Sequence, residues 1–446
     1  MGLFGNKFPD TEKIEKQDAE HKRLYQEVLA TANSEDLKEY LELKDEVSSP
    51  EFVNEKHRVT GLKWKSTKEY SRLKEFNKLT KNKDLKAYFE LKDSDELKSY
   101  LEFRKTDAYR DITDKKKRKA SADLERYFKF ENSKVYKSFK KIEGSGTLNQ
   151  YLKLKEEVES DKFKEYKAFC EDVHRWNHTE QAKKEQRFHN LDQDVNIKNY
   201  VKFHNSDLFD LFKFYDITFA EDFAPEKLDT HKWKTQFHLG SEFGQGNYSL
   251  ENHLQAYSNG RNIEISRDYM TIDTRAENTT ARVWDKERGF FQREMNYTSG
   301  VISTGKSFKQ NEGIFKIKLK TDSHAPVSHS VQLVSPKGNI QIKLLQISQK
   351  GKPMVGLSTY DGKRHTVRTS RIKGLNTNAG FHIFSVEWQK EMLIWKVNDK
   401  EVFRTEIKLP KEEMILELAS MVYKTKKKPA PGKLIVDWIK VYKKTA

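Results

Sequence analysis

The first half of the chain repeats one short segment, and this repeat limits what that half can form. The clearest copies are SEDLKEYLELK from Ser34, NKDLKAYFELK from Asn82, SDELKSYLEFR from Ser94, SADLERYFKFE from Ser121 and SGTLNQYLKLK from Ser145. Each begins with a Ser or Asn, whose side-chain oxygen can accept a hydrogen bond from a backbone N–H at the start of a helix. Weaker copies begin at Ser49, Asn132 and Ser160. Every copy therefore predicts one capped helix of about three turns.

The copies also share an apolar pattern. A leucine follows the cap, a tyrosine comes three positions later, and a leucine or phenylalanine follows directly. Offsets of 0, 3 and 4 lie on one helical face, so we expect that face to be buried. The residues concerned are Leu37, Tyr40 and Leu41; Leu85, Tyr88 and Phe89; Leu97, Tyr100 and Leu101; Leu124, Tyr127 and Phe128; and Leu148, Tyr151 and Leu152.

Helices this short are marginal in water by themselves. Their apolar faces must pack against one another, which predicts a multi-helix bundle or a solenoid-like stack. Such arrays commonly present a binding surface, so a protein partner is expected at the N-terminal helices.

The second half differs in charge and in texture. Residues 1–222 contain 46 basic and 45 acidic residues, whereas residues 223–446 contain 38 and 23. The second half also has glycine-containing turns and alternating apolar residues, which predict strands. We therefore predict two domains, an all-α array of short helical repeats at 1–222 and an all-β domain at 223–446.

Five segments of the second half resemble, in order, segments of glycoside hydrolase family 16, the laminarinase and β-glucanase group. They are FAPEKLDTHKW at 223–233, the segment beginning ENHLQAY at 251–278, YTSGVIS through KIKLK at 297–320, FHIFSVEW through EVFR at 381–404 and GKLIVDWIKVYK at 432–443. The resemblance implies a jelly-roll sandwich of two antiparallel sheets, one of them curved to form a glycan cleft.

The catalytic acids of that family lie on one strand, in an E-x-D-x-E or E-x-D-x-x-E pattern. Counting along the matching segments aligns this strand with GNIQIKLLQ at 338–346. The acid positions would then hold Asn339, Gln341 and Lys343, or Leu344 in the bulged form. None of these can replace a carboxylic acid as nucleophile or proton donor. We therefore predict an inactive glycosidase-like domain with no catalytic residue, no cofactor and no metal.

Three functions remain open. The first is a glycan-binding or adaptor module, for which His329, Arg261 and Asn252 are candidate ligand-binding residues. The second is an active endo-β-glucanase that uses displaced carboxylates such as Glu242 or Glu251.

The third function is binding of an anionic polymer, including nucleic acid, through the basic half. Its densest cationic segments are residues 350–352, 363–373 and 424–433.

The sequence also bears on location. The single Cys170 cannot form an intrachain disulfide, and the first residues lack the apolar core of a secretory signal. No apolar run approaches the roughly 18 residues that span a bilayer. We expect no membrane span and a cytoplasmic location.

Overall fold

The computed structural model describes residues 8–224, 226–243, 246–266, 269–305, 307–323, 327–348, 350–409, 411–424 and 431–445. Contacts divide the chain into two units, Thr31–Tyr200 on one side and Met1–Ala30 with Val201–Ala446 on the other. Residues 201–222 and most of the first helix are thus grouped with the strands, whereas the sequence-based boundary lies at residue 222.

The helices follow one another closely along the first 214 residues, and one further helix lies near residue 240. They are α1 (Thr11–Ala32), α2 (Glu35–Val47), α3 (Pro50–Thr60), α4 (Lys68–Leu79), α5 (Lys83–Lys92), α6 (Asp95–Phe103), α7 (Lys115–Ala120), α8 (Ala122–Glu131), α9 (Lys134–Ile142), α10 (Gly146–Glu159), α11 (Asp161–Glu171), α12 (Glu180–Gln193), α13 (Val195–Phe203), α14 (Asp210–Phe214) and α15 (His238–Phe243). Among the described helices, none combines the length and apolar character that crossing a bilayer requires.

The predicted caps are confirmed, with one exception. The side chain of Ser94 accepts a hydrogen bond from the backbone N–H of Leu97 at 3.1 Å, and the other strong copies are capped in the same way. Asn132 was predicted to begin a helix but instead ends α8, and its neighbour Ser133 caps α9. The cap lies one residue later because Ser133 reaches the N–H of Tyr136.

The buried helical face differs from the prediction at its edge. The shared leucines are buried, and the tyrosines are buried or half-buried. The leucine that follows the tyrosine is partly exposed to solvent: Leu41, Leu101 and Leu152 are 46%, 41% and 44% exposed. Residues six positions after the shared leucine, such as Leu43 and Leu91, are buried instead. The buried face therefore follows offsets 0, 3 and 6.

The helices of the unit Thr31–Tyr200 pair in a nested order. α2 packs against α12, α4 against α10 and α5 against α9. The later helices therefore pack against the earlier ones in reverse order. The innermost pairs enclose the largest helical core, in which Tyr88 and Phe139 stack with ring centres 4.7 Å apart.

The β part consists of strands that are mostly antiparallel. They are β1 (Tyr215–Glu221), β2 (Ser249–Leu250), β3 (Gln255–Tyr257), β4 (Ile263–Ser266), β5 (Tyr269–Thr274), β6 (Thr279–Asp285), β7 (Gly289–Met295), β8 (Tyr297–Ser299), β9 (Val301–Ser303), β10 (Gly313–Ser323), β11 (Val327–Val334), β12 (Ile340–Ile347), β13 (Pro353–Tyr360), β14 (His365–Arg371), β15 (His382–Gln389), β16 (Met392–Val397), β17 (Lys400–Glu406), β18 (Ile415–Val422) and β19 (Gly432–Lys444).

Two sheets form the sandwich. One has the order β17-β16-β15-β10-β19-β5-β4 with β1 beside β19, and the other has the order β14-β13-β12-β11-β18-β9. Both sheets contribute to one apolar core, which includes Phe315 and Trp395 from the first sheet and Val331, Ile342 and Leu418 from the second. The predicted fold class is confirmed: an all-α array followed by an all-β jelly-roll sandwich.

Candidate functional site

A cavity of about 360 Å³ lies on the six-stranded sheet, on the face turned away from the sandwich core. On β11 the core residues Val331 and Leu333 alternate with Ser330, Gln332 and Val334, which line the cavity. We call it the cleft cavity, and its lining is Phe237, Leu239, Tyr248, Leu250, His253, Tyr257, Ser330, Gln332, Val334, Gln341, Lys343, Gln346, Glu417, Ala419, Met421 and Tyr423.

A β-bulge on β12 decides which of its residues reach this cavity. Val331 pairs with Leu345 and Gln332 pairs with Lys343, so Leu344 is the extra residue of the bulge. Leu344 and Leu345 are both buried in the core. The alternation therefore changes phase, and Gln341, Lys343 and Gln346 line the cavity.

This arrangement corrects the predicted set of cleft positions. Asn339 precedes the strand, and its Oδ1 accepts a hydrogen bond from the Ser335 hydroxyl at 2.8 Å. Leu344, the bulged alternative, belongs to the core. Of the predicted positions, Gln341 and Lys343 line the cavity, and Gln346 of the same strand lines it with them.

Glu417 on β18 is a carboxyl group in the cavity that the sequence analysis missed. Its Oε2 accepts from the backbone N–H of His238 at 3.1 Å, and its Oε1 accepts from Gln332 Nε2 at 3.2 Å. Glu417 is only 5% exposed, and burial raises its pKa to about 7 although both donors act in the opposite direction. A lone charged residue between Leu416 and Leu418 in the run ILELAS was the available signal.

Lys343 lies in the same row of the sheet as Glu417. Gln332 of β11 pairs with Lys343 on one side and with Glu417 on the other. Burial lowers the pKa of Lys343, and no charged neighbour among the described residues contributes to that shift. The backbone carbonyl of Lys343 accepts from Trp395 Nε1 at 2.9 Å, which fixes the strand against the opposite sheet.

Aromatic side chains form one wall of the cavity. Phe237 meets Tyr257 edge to face with ring centres 4.9 Å apart, and His253 meets Tyr423 in the same way at 5.0 Å. Burial lowers the pKa of His253 to about 4, so its ring is neutral at neutral pH. The wall therefore offers apolar ring surface with few charges.

The three predicted ligand-binding residues do not come together in this cavity. His329 shares the core side of β11 with Val331; its Nδ1 lies 2.8 Å from the Ser420 hydroxyl, and burial lowers its pKa to about 3. Arg261 is exposed and pairs with Glu277 at 3.5 Å. Asn252 is an exposed turn residue whose carbonyl accepts from the Lys424 N–H at 3.0 Å.

Of the two displaced carboxylates named from the sequence, Glu242 and Glu251, the structure describes the side chain of Glu251 only. Glu251 is exposed and lies outside the lining of the cleft cavity as the described residues define it. The side chain of Glu242 lies outside the described part of the chain, as do residues 425–430 of the predicted cationic segment 424–433.

The chemistry available in the cavity follows from these positions. A retaining glycosidase needs two carboxyl groups about 5 to 5.5 Å apart, and an inverting enzyme needs them about 6.5 to 9.5 Å apart. Among the described lining residues Glu417 is the single carboxyl group. The described residues also include no group of three His, Cys, Asp or Glu placed to hold a metal ion.

The second half of the chain is therefore a β-sandwich of two sheets, with a cavity on the outer face of one sheet. Residues 247–440 match the family model for glycosyl hydrolases family 16. That match covers less than half of the chain and confirms the predicted resemblance for the C-terminal half, while the N-terminal helices match no family model.

Solved structures with a similar fold are the catalytic domain of an endo-1,3-beta-glucanase (laminarinase) from Thermotoga petrophila and an endo-beta-1,3-glucanase from Pyrococcus furiosus. The first is 16% identical, with 52% of this chain and 99% of that chain covered and a TM-score of 0.42. The second is 15% identical, with 52% and 95% covered and a TM-score of 0.43. No curated protein matches the chain.

Proposed function

We propose that the β-sandwich binds carbohydrate in the cleft cavity and does not hydrolyse it. The observation that carries this proposal is the set of side chains that β12 presents to the cavity: Gln341, Lys343 and Gln346. An amide cannot attack an anomeric carbon as a carboxylate does, and losing general acid catalysis costs roughly 10²- to 10⁴-fold. Aromatic rings and amide side chains remain, and both groups suit sugar rings and hydroxyls.

Two measurements on the full chain test this proposal. Isothermal titration with laminari-oligosaccharides and with acidic oligosaccharides is expected to detect binding, which Gln341→Ala weakens. Reducing-sugar release from laminarin is expected to stay at the level of a protein-free blank. Absence of binding to every glycan contradicts the first half of the proposal, and release above the blank contradicts the second.

A second candidate is a weak hydrolase, which Glu417 favours. Its carboxyl lines the cavity, and a pKa of about 7 is suitable for a proton donor. If this candidate is correct, sugar release is measurable and Glu417→Gln abolishes it. Release that survives Glu417→Gln points to contamination or to Glu242.

The helical unit is proposed to act as a protein-binding scaffold, which makes the whole chain an adaptor. This proposal is supported by the partly exposed leucines that recur at equivalent positions of the repeats, Leu41, Leu101 and Leu152. Replacing all three with Gln is expected to remove association with a partner while the helix content stays unchanged.

A further inference from the structure

Lys343 is a cation on the floor of the cleft cavity that has no charged partner among the described residues. Its side chain is half-buried, and burial is the single cause of its lowered pKa. The one carboxyl group among the described lining residues, Glu417, is already engaged by His238 and Gln332. It lies two strands away from Lys343, which separates the two backbones by roughly 10 Å.

Holding a charge in this position costs free energy. An ammonium group removed from water without a partner is destabilising, and nearby dipoles compensate only in part. A bound anion would offset this cost, because a charge-assisted hydrogen bond is about twice as strong as a neutral one. The folded chain therefore has at this point a cation whose natural partner is an anion from outside the protein.

The surroundings of Lys343 suit an anion carried by a sugar. Gln332, Gln341 and Gln346 offer neutral donors and acceptors beside it. Its pairing partner on β13 is Gly356, which has no side chain. A Cβ at that position would come within 2.2 Å of the Arg368 carbonyl oxygen. No side chain therefore projects from β13 at the position that pairs with Lys343.

A second cation lies further along the same face. Gln346 pairs with Met354, and Met354 pairs with Arg371, so these three residues point to one side of the sheet. Arg371 is exposed. Two cations two strands apart, roughly 10 Å in the hydrogen-bonding direction, fit a ligand with repeated negative charges.

We infer that the ligand of the cleft cavity is an acidic oligosaccharide, with a carboxylate or sulfate group paired to Lys343. This inference rests on the proposed function and adds the chemical class of the glycan to it. The neutral aromatic wall and the three glutamines contact the sugar rings and hydroxyls, whereas Lys343 selects for charge.

The test compares three hexasaccharides by isothermal titration against the full chain at low and at physiological salt. They are laminarihexaose, which is neutral, a uronic-acid hexasaccharide, which carries carboxylates, and a sulfated laminarihexaose, which carries sulfates and no carboxylate. The variants are Lys343→Gln and Lys343→Arg. The matched control is Lys443→Gln, which removes an equal charge from an exposed position on the other sheet.

We expect at least one acidic hexasaccharide to bind about tenfold more tightly than laminarihexaose, as one charge-assisted contact predicts. Lys343→Gln should abolish this preference, Lys343→Arg should keep it, and Lys443→Gln should leave it unchanged. The arm that binds more tightly distinguishes a carboxylate from a sulfate ligand.

Three results would overturn the inference. Equal binding of neutral and acidic ligands leaves the proposed function intact and refutes the selection for charge. A preference that Lys343→Gln and Lys443→Gln reduce equally indicates attraction to the basic surface in general. Absence of binding to all three hexasaccharides refutes the proposed function as well.

Discussion

Single residues of the cleft cavity show how burial sets their charge. Glu417 and Lys343 are both ionisable, both shielded from water, and shifted in opposite directions. Burial disfavours the charged form of each, which raises the pKa of an acid and lowers that of a base. At neutral pH both groups therefore carry less charge than they would in water.

The pKa of Glu417 predicts a pH dependence of stability. Burial raises this pKa from 4.5 to about 7, so the unfolded chain loses the proton first as pH rises. The free energy of unfolding should therefore fall between about pH 4.5 and 7, by about 3 kcal/mol at most, and level off above that window. The free energy of unfolding of the wild type and of Glu417→Gln is measured with denaturant at several pH values. The difference between the two proteins gives the contribution of Glu417 at each pH. A difference that does not change with pH would contradict the assigned environment.

At the scale of elements, capping residues define where each repeat helix begins. Ser94 illustrates this, because its hydroxyl bonds the N–H of Leu97 while Leu97 itself is buried in the helical core. The cap and the apolar face thus belong to one short segment, and the helix is stable only when both are satisfied.

Ser94→Ala should destabilise the helical unit by about 1 kcal/mol, since it leaves a backbone donor without its side-chain acceptor. The control is Ser99→Ala in the same helix, where the exposed serine is not a cap. Denaturant unfolding followed by circular dichroism should show a lower midpoint for Ser94→Ala only. Equal midpoints for both variants would mean that the cap contributes nothing.

Arg175 connects a segment near the start of the helical unit with one near its end. Its guanidinium donates to the carbonyls of Val59 at 2.8 Å and Leu62 at 2.9 Å, and to that of Cys170 at 2.6 Å. Five donors in a fixed planar arrangement allow one side chain to satisfy several helix ends at once.

Arg175→Met is expected to destabilise this unit by about 3 kcal/mol, because several half-buried carbonyls lose their donor. Arg175→Lys should not restore stability, since an ammonium group cannot reach the same set of acceptors. The thermal midpoints of the three proteins measure the effect. Full rescue by lysine would show that charge, rather than geometry, is what matters.

At the scale of the whole molecule, α1 belongs to the same unit as the strands β10 and β19. Glu15 of α1 accepts from Lys318 at 2.8 Å and from Trp438 Nε1 at 2.8 Å, so residues more than 300 positions apart are joined. Thr11 and Asn398 make a second such contact at 3.0 Å. Most of the first helix is therefore part of the β unit.

Glu15→Ala should lower the stability of that unit by about 2 kcal/mol, because Lys318 and Trp438 both lose an acceptor. Glu20→Ala on an exposed position of the same helix is the control. Intrinsic tryptophan fluorescence during denaturant unfolding reports mainly on that unit, which holds five of the seven tryptophans. If the two variants unfold at the same denaturant concentration, α1 does not stabilise the sheets.

Much of this architecture follows from short sequence patterns. Capping residues, the leucine and tyrosine spacing and the alternating apolar strands identify the helices and the sandwich, because each depends on residues within a few positions of one another. The lack of acids around residues 338–346 is likewise visible in the sequence. The resemblance to family 16 added the location of the cleft strand.

The tertiary structure decided the composition of the site and the pairing of the helices. Leu344 enters the core as a bulge, which brings Gln346 rather than Leu345 onto the cavity face with Gln341 and Lys343. Glu417 reaches the same row from a strand about 70 positions later in the chain. Register and packing depend on partners that are far apart in sequence, and no local pattern specifies which of them will meet.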